Sequence, residues 1–183
     1  MSYFSKVYTI LAALILALSL TIPVKAQTPP LLLDAQKTDE QNAESKGISL
    51  WQPGDPGQRL FIDGSVLTPD GQGIADAVLY IRQADGNGIY HEDRYRAVLS
   101  TDRDGRYGFG TVLPGQYSST KHIHVYVQHS NYLPMETQIL FMGDSNLDES
   151  TQRRRGIFLE DSTVDGETFL YGRFDIVLEP SGG

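Results

Sequence analysis

The sequence predicts an all-β domain: an antiparallel β-sandwich with short or no helices. Three observations lead there. From Arg59 onward the apolar residues come in short runs rich in Val, Ile, Tyr and Phe, separated by clusters of Gly, Asp and Pro. No stretch after residue 60 holds an amphipathic helical period over three turns. There is no cysteine, so the chain is held together by its core without disulfides, and thiolate chemistry is excluded.

The runs follow one another in order. "RLFIDGSVL" (59–67) reads as a strand and is closed by the turn signal "TPDGQG". "DAVLYIRQ" (76–83) is a second strand, followed by "ADGNG". "YRAVLST" (95–101) leads into "DRDG", and "RYGFGTVLPGQY" (106–117) follows. "HIHVYVQ" (122–128), "METQILFMG" (135–143) and "RFDIVLEP" (173–180) complete the set. "DRDG" begins like a calcium loop but lacks a glutamate at the twelfth position, so a hairpin turn is expected. "RRR" at 153–155 is expected to be a solvated turn. No repeat of fixed period is present.

Before this domain lie two segments. Residues 1–26 carry Lys6, the apolar run "TILAALILALSLTI" and small residues near "VKA". They are expected to be a cleaved secretory signal, giving a secreted or periplasmic protein with no stable membrane span after cleavage. Residues 27–58 show no periodicity and are expected to be a linker or wrapping arm, with Leu31–Leu33 and Trp51 as docking points. The domain proper is 59–183. The net charge is −8, and loss of Lys6 and Lys25 with no acid would make it −10. A nucleic-acid partner, which needs a basic footprint, is therefore not expected.

Chemistry concentrates in "PGQYSSTKHIHVYVQHS" (114–130). Alternation puts Ile123, Val125 and Val127 on one face of a strand and His122, His124 and Tyr126 on the other. Two imidazoles at that spacing can converge on one ion, although such a pair is often only solvated. Two tyrosines stand nearby at loops, Tyr90 after "ADGNGI" and Tyr117 after "LPGQ". Phenolate is a hard anionic donor, and two phenolates with two neutral imidazoles suit non-haem Fe(III). The alternative is that both tyrosines are half-buried sandwich residues bonded through their hydroxyls. His91 and His129 are expected to have no role in the site.

From about Gly57 to Pro180 the sequence resembles the intradiol ring-cleavage dioxygenases, closest in size to the protocatechuate 3,4-dioxygenase type. The resemblance is carried by "FIDGSVLTPDGQGIADAVL", "RQADGNGIY", "STDRDGRYGFGTVLPGQY", "HIH", "ETQILFMGD" and "FDIVLEP", in that order. It implies one Fe(III) per chain, with Tyr90 and His124 as equatorial ligands and Tyr117 and His122 as axial ones. It implies a small aromatic diol and O2 as substrates, cleavage between the two hydroxylated carbons, and a muconate-type diacid product. Tyr117 would leave the metal when the diol binds, and Gln138 would polarise the substrate. Two departures stand out. The family's arginine three residues before the first histidine is absent, with Ser119 at its offset. Arg82 stands where the family commonly has tryptophan, on a packing strand where it is expected to alter surface rather than chemistry. The competing reading is a non-catalytic β-sandwich module that binds carbohydrate, protein or an aromatic ligand. The long helical N-terminal segment of the catechol-specific branch is not evident, which argues against dimerisation by that route and leaves other homo-oligomers open.

Overall fold

The computed structural model describes residues 48–117 and 120–182. The expected signal segment, Leu31–Leu33 and Ser119 lie outside the described residues. Two sheets pack face to face. The first has the order β1 (Ile48–Ser49), β5 (Arg106–Val112), β2 (Arg59–Leu67), β10 (Glu167–Arg173) and β9 (Glu160–Val164), with β11 (Ile176–Val177) also on β2. The second has the order β4 (Arg96–Ser100), β3 (Val78–Gln83), β6 (His122–His129), β7 (Tyr132–Phe141) and β8 (Gly156–Ile157). A single short helix among the described residues, α1 (Glu149–Arg155), joins β7 to β8.

The core is what the alternation demands. Leu60, Ile62 and Phe109 from the first sheet meet Leu79, Ile81, Ile123, Val125 and Ile139 from the second, all essentially without solvent exposure. The central ladders, β2–β5, β3–β4, β3–β6 and β6–β7, are antiparallel. The pairings β1–β5, β7–β8, β2–β10 and β2–β11 are parallel. The last two arise because the C-terminal strands return to the exposed edge of β2, and the Tyr107 hydroxyl ties this return down by donating to the Phe174 carbonyl.

Several local features differ from expectation. β9 and β10 form a hairpin beyond the runs that predict strands, and its local signal is a turn. Asp165 and Gly166 both have positive φ (50° and 84°), and Val164 pairs with Glu167. That is a two-residue Asp-Gly hairpin turn. The arginine run is not a turn either. Arg153–Arg155 form the last turn of α1, where cations complement the C-terminal end of the helix. Asp148 caps its other end by accepting from the Thr151 amide at 3.0 Å. "DRDG" is the expected hairpin turn: Asp102 Oδ1 accepts from the amides of Asp104 and Arg106. In the segment expected to be a linker or arm, β1 pairs with β5 and Arg59 stacks over the Trp51 ring at 4.4 Å.

β6 holds the fold and the site at once, because its inward face is core and its outward face is polar. Ile123→Ala should lower the unfolding free energy by about 2–4 kcal/mol, through lost burial and the cavity left behind. Urea denaturation followed by circular dichroism checks this, and an unchanged midpoint would remove β6 from the core.

Candidate metal centre

His122 and His124 emerge from the outward face of β6. Their Nε2 atoms lie 3.1 Å apart, with the rings nearly perpendicular. Two nitrogens each about 2.1 Å from one ion at a right angle would sit about 3 Å apart, so this separation fits a shared metal as well as it fits a hydrogen bond between the rings. The His122 Nδ1–H donates to the Thr120 carbonyl at 3.0 Å, which leaves the lone pair on Nε2, facing His124. Burial lowers the His124 pKa, and the neighbouring His122 and Arg82 lower it further against the opposing pull of Glu136. The ring therefore stays neutral, the form in which imidazole binds metal. The start of the strand is clamped by Asp144, whose Oδ2 accepts from the Lys121 amide at 2.7 Å.

The two tyrosines arrive from separate loops. Their rings meet edge to face with centroids 4.5 Å apart, and Tyr90 lies 6.4 Å from the His124 ring. Burial raises the Tyr90 pKa. Arg82 offsets this in part and Tyr117 adds to it, so without a bound cation the phenol keeps its proton. Tyr117 is the looser of the pair, 47% exposed at the end of its loop.

A single buried carboxylate builds the loop that ends in Tyr90. Asp85 Oδ1 accepts from the amides of Asn87 (2.9 Å) and Ile89 (3.0 Å), and Oδ2 pairs with His91 Nε2 at 2.9 Å. The Asp85 carbonyl accepts from Gly88 and also from Gly115, on the loop that ends in Tyr117. The loops then touch backbone to backbone. Gly88 has φ of 81°, and a Cβ on it would strike the Gln116 carbonyl; one on Gly115 would strike the Gly88 nitrogen. Burial alone would raise the Asp85 pKa, but the bonds from His91, Ile89 and Asn87 outweigh it and the net shift is downward.

All four expected ligand residues thus meet at one place. Gln138 pairs with His124 across β6–β7, on the same face. Two expectations need correction. Arg82 is not a bystander: it pairs with His124 across β3–β6, its guanidinium stands 5.0 Å over the Tyr90 ring, and it lines the cavity shared by Tyr90, Tyr117, His124 and Glu136. Register on the pleat makes this unavoidable, since residues 82 and 124 stand opposite each other. His91, expected to have no role in the site, supports it from behind by pairing with Asp85. Asp85 and Glu136 were missed; "ADGNG" carried the sign of the former, since an aspartate opening a glycine turn bonds the amides after it. Lys121 bonds Asp144 through its amide, and His129 accepts from the Asn131 amide at the far end of β6.

The chain belongs to the intradiol ring-cleavage dioxygenase family: a family model described as Dioxygenase matches residues 35–180. Catechol 1,2-dioxygenase 2 of Acinetobacter lwoffii is 29% identical over 119 residues, covering 51% of this chain and 43% of the relative. Chlorocatechol 1,2-dioxygenase of Rhodococcus opacus is 25% identical over 157 residues, covering 68% and 61%. The match thus spans less than two thirds of either relative. In fold, the crystal structure of catechol 1,2-dioxygenase from Pseudomonas arvilla C-1 superposes with a TM-score of 0.66 at 22% identity, covering 75% of this chain and 57% of that one.

Asp85→Ala should cost about 1–3 kcal/mol, because it strands buried amides, and should loosen Tyr90 and Tyr117 together while leaving the β6 imidazoles in place. Since the folded-state pKa of Asp85 is depressed, its contribution is complete above the ordinary aspartate range, about pH 4, and is lost as pH falls below it. NMR of the two tyrosine rings during acid titration of the native protein and the variant checks both statements. Independent behaviour of the two rings would sever the proposed link between the loops.

Proposed function

We propose that the chain is a secreted or periplasmic Fe(III)-dependent enzyme that opens a catechol-type ring between its two hydroxylated carbons, both atoms of O2 entering the muconate-type diacid product. The observation that carries the reading is the meeting of two phenols with two imidazole nitrogens 3.1 Å apart. Among the described residues no three of His, Cys, Asp and Glu come together, so a metal held here draws on the tyrosine oxygens. That donor set, two hard phenolates and two imidazoles, fits a ferric ion. Ferric iron bound by Tyr90, Tyr117, His122 and His124 would supply a Lewis acid that takes up both oxygens of a catechol and makes the ring reactive toward O2.

The chain's own groups divide the remaining work. His122 stays aimed through its Nδ1–H bond to Thr120. Tyr90, built into the Asp85 loop, is the fixed phenol. Tyr117, half exposed, is the phenol that would turn away as the diol enters; as a phenolate its Oη would take one of the two phenolic protons the diol must lose, the other passing to solvent. Gln138, opposite His124 on the same face, would donate from its amide to one of the diol's two oxygens. No arginine stands in the segment before His122, and the guanidinium that stands over the Tyr90 ring is that of Arg82.

Protein reconstituted with ferric iron should show the visible charge-transfer band of bound tyrosinate. The band should shift on adding catechol under air and decay as diacid absorbance rises. Tyr90→Phe should weaken the band and lower iron affinity. A colourless protein that fails to retain iron would overturn the reading in favour of a binding module. For the leader, N-terminal sequencing of protein recovered outside the cytoplasm should begin near Gln27.

A further inference from the structure

Register places two rows of side chains on the outward face of the second sheet. Arg96, Arg82, His124 and Gln138 stand side by side in one, and Val98, Tyr80, Tyr126 and Glu136 in the next. A groove of about 370 Å³ runs over both rows and shares Arg82, His124 and Glu136 with the metal-centre cavity. Its floor is apolar. Tyr80 and Tyr126 lie 5.8 Å apart, 41% and 38% exposed, beside Val98 at 56%.

One wall is a pair of guanidinium groups. Like charges directly opposed on neighbouring strands repel, so the exposed Arg82–Arg96 pair is a place where a bound anion is favoured. Among the described residues neither finds one. Arg96 donates only to the Glu92 carbonyl (2.9 Å), and Arg82 only stacks on Tyr90. This is so in a chain with 23 acidic and 15 basic residues. Glu136, on the opposite wall beyond Tyr126, pairs with neither arginine and would turn an anion toward them.

We propose that the groove binds the side chain of the substrate, which is a catechol carrying a short apolar side chain that ends in a carboxylate, the arylpropenoic or arylpropanoic acid class. This rests on the ring-opening function proposed for Tyr90, Tyr117, His122 and His124. Strands lie about 4.8 Å apart, so the Arg82 backbone is about 5 Å and the Arg96 backbone about 10 Å from that of His124. A carboxylate directly on the ring reaches Arg82 alone. Two intervening carbons lie along Tyr80 and Tyr126 and bring the carboxylate between the two guanidinium groups, where planar N–H forks suit its oxygens.

The test compares 3,4-dihydroxycinnamate with its methyl ester, which keeps the apolar chain and loses the charge. Calorimetric titration of the iron-free protein and kcat/KM of the iron-loaded protein are both measured. The acid should exceed the ester by about ten-fold or more in each, as expected for a charge-assisted contact. Arg96→Met should bring the ratio close to one and Arg96→Glu should reverse it, with circular dichroism confirming the fold. Catechol turnover with equal use of acid and ester would overturn the groove and leave the ring-opening function standing. Arginine-dependent binding of the acid to iron-free protein without any ring opening would support the groove and overturn the function. Equal binding of acid and ester with no turnover would overturn both.

Discussion

The buried carboxylate of Asp85 is the interaction on which the rest of the site depends. It lies 4% exposed between two loops that have no regular secondary structure to hold them. Its two oxygens and its carbonyl gather four amides and one imidazole. A loop backbone that leaves its sheet carries N–H groups that must find partners, and here one residue satisfies four of them, two through its side chain and two through its carbonyl. The same residue therefore sets where Tyr90 stands and, through Gly115, where Tyr117 stands. The imidazoles need no such device, because β6 is paired on both sides and its inward residues are packed in the core.

This division of support explains a difference in freedom among the four site residues. His122 and His124 are carried by a central strand of a sandwich and are stiff. Tyr90 follows immediately on the Asp85 turn and is stacked beneath a guanidinium. Tyr117 ends the other loop and is the most exposed of the four. The two phenols thus differ in support: Tyr90 is built into the Asp85 turn, and Tyr117 is half exposed. Firm support here comes from strand pairing and from one satisfied carboxylate, and Tyr117, two residues beyond Gly115, lies outside the sheet strands and the Asp85 bonds and is half exposed.

Charge is also distributed unevenly. The chain is strongly acidic overall, which discourages anionic ligands at a distance. Yet the outward face of the second sheet concentrates Arg82 and Arg96 beside the site. The guanidinium missing ahead of His122 is thus not missing from the neighbourhood. It comes from an adjacent strand and approaches from the side of Tyr90.

Much of this was legible in the order of residues. Alternation in "HIHVYV" settles which residues of β6 face the core, because a strand has a period of two whatever it packs against. "ADGNG" and "DRDG" specify turns because aspartate and glycine have local chemistry that acts without distant partners. The Asp165–Gly166 hairpin carried the same local sign and was readable on the same grounds. What only the tertiary structure decided is everything that depends on register between strands far apart in the chain. The placement of Arg82 opposite His124, the row of Tyr80 and Tyr126 beside the site, and the docking of the two tyrosine loops through Asp85 and Gly115 are of this kind. A strand's own sequence fixes which way its side chains point, but its neighbour's identity is set by pairing energies summed over the whole sheet. A single position in the chain holds no trace of that sum.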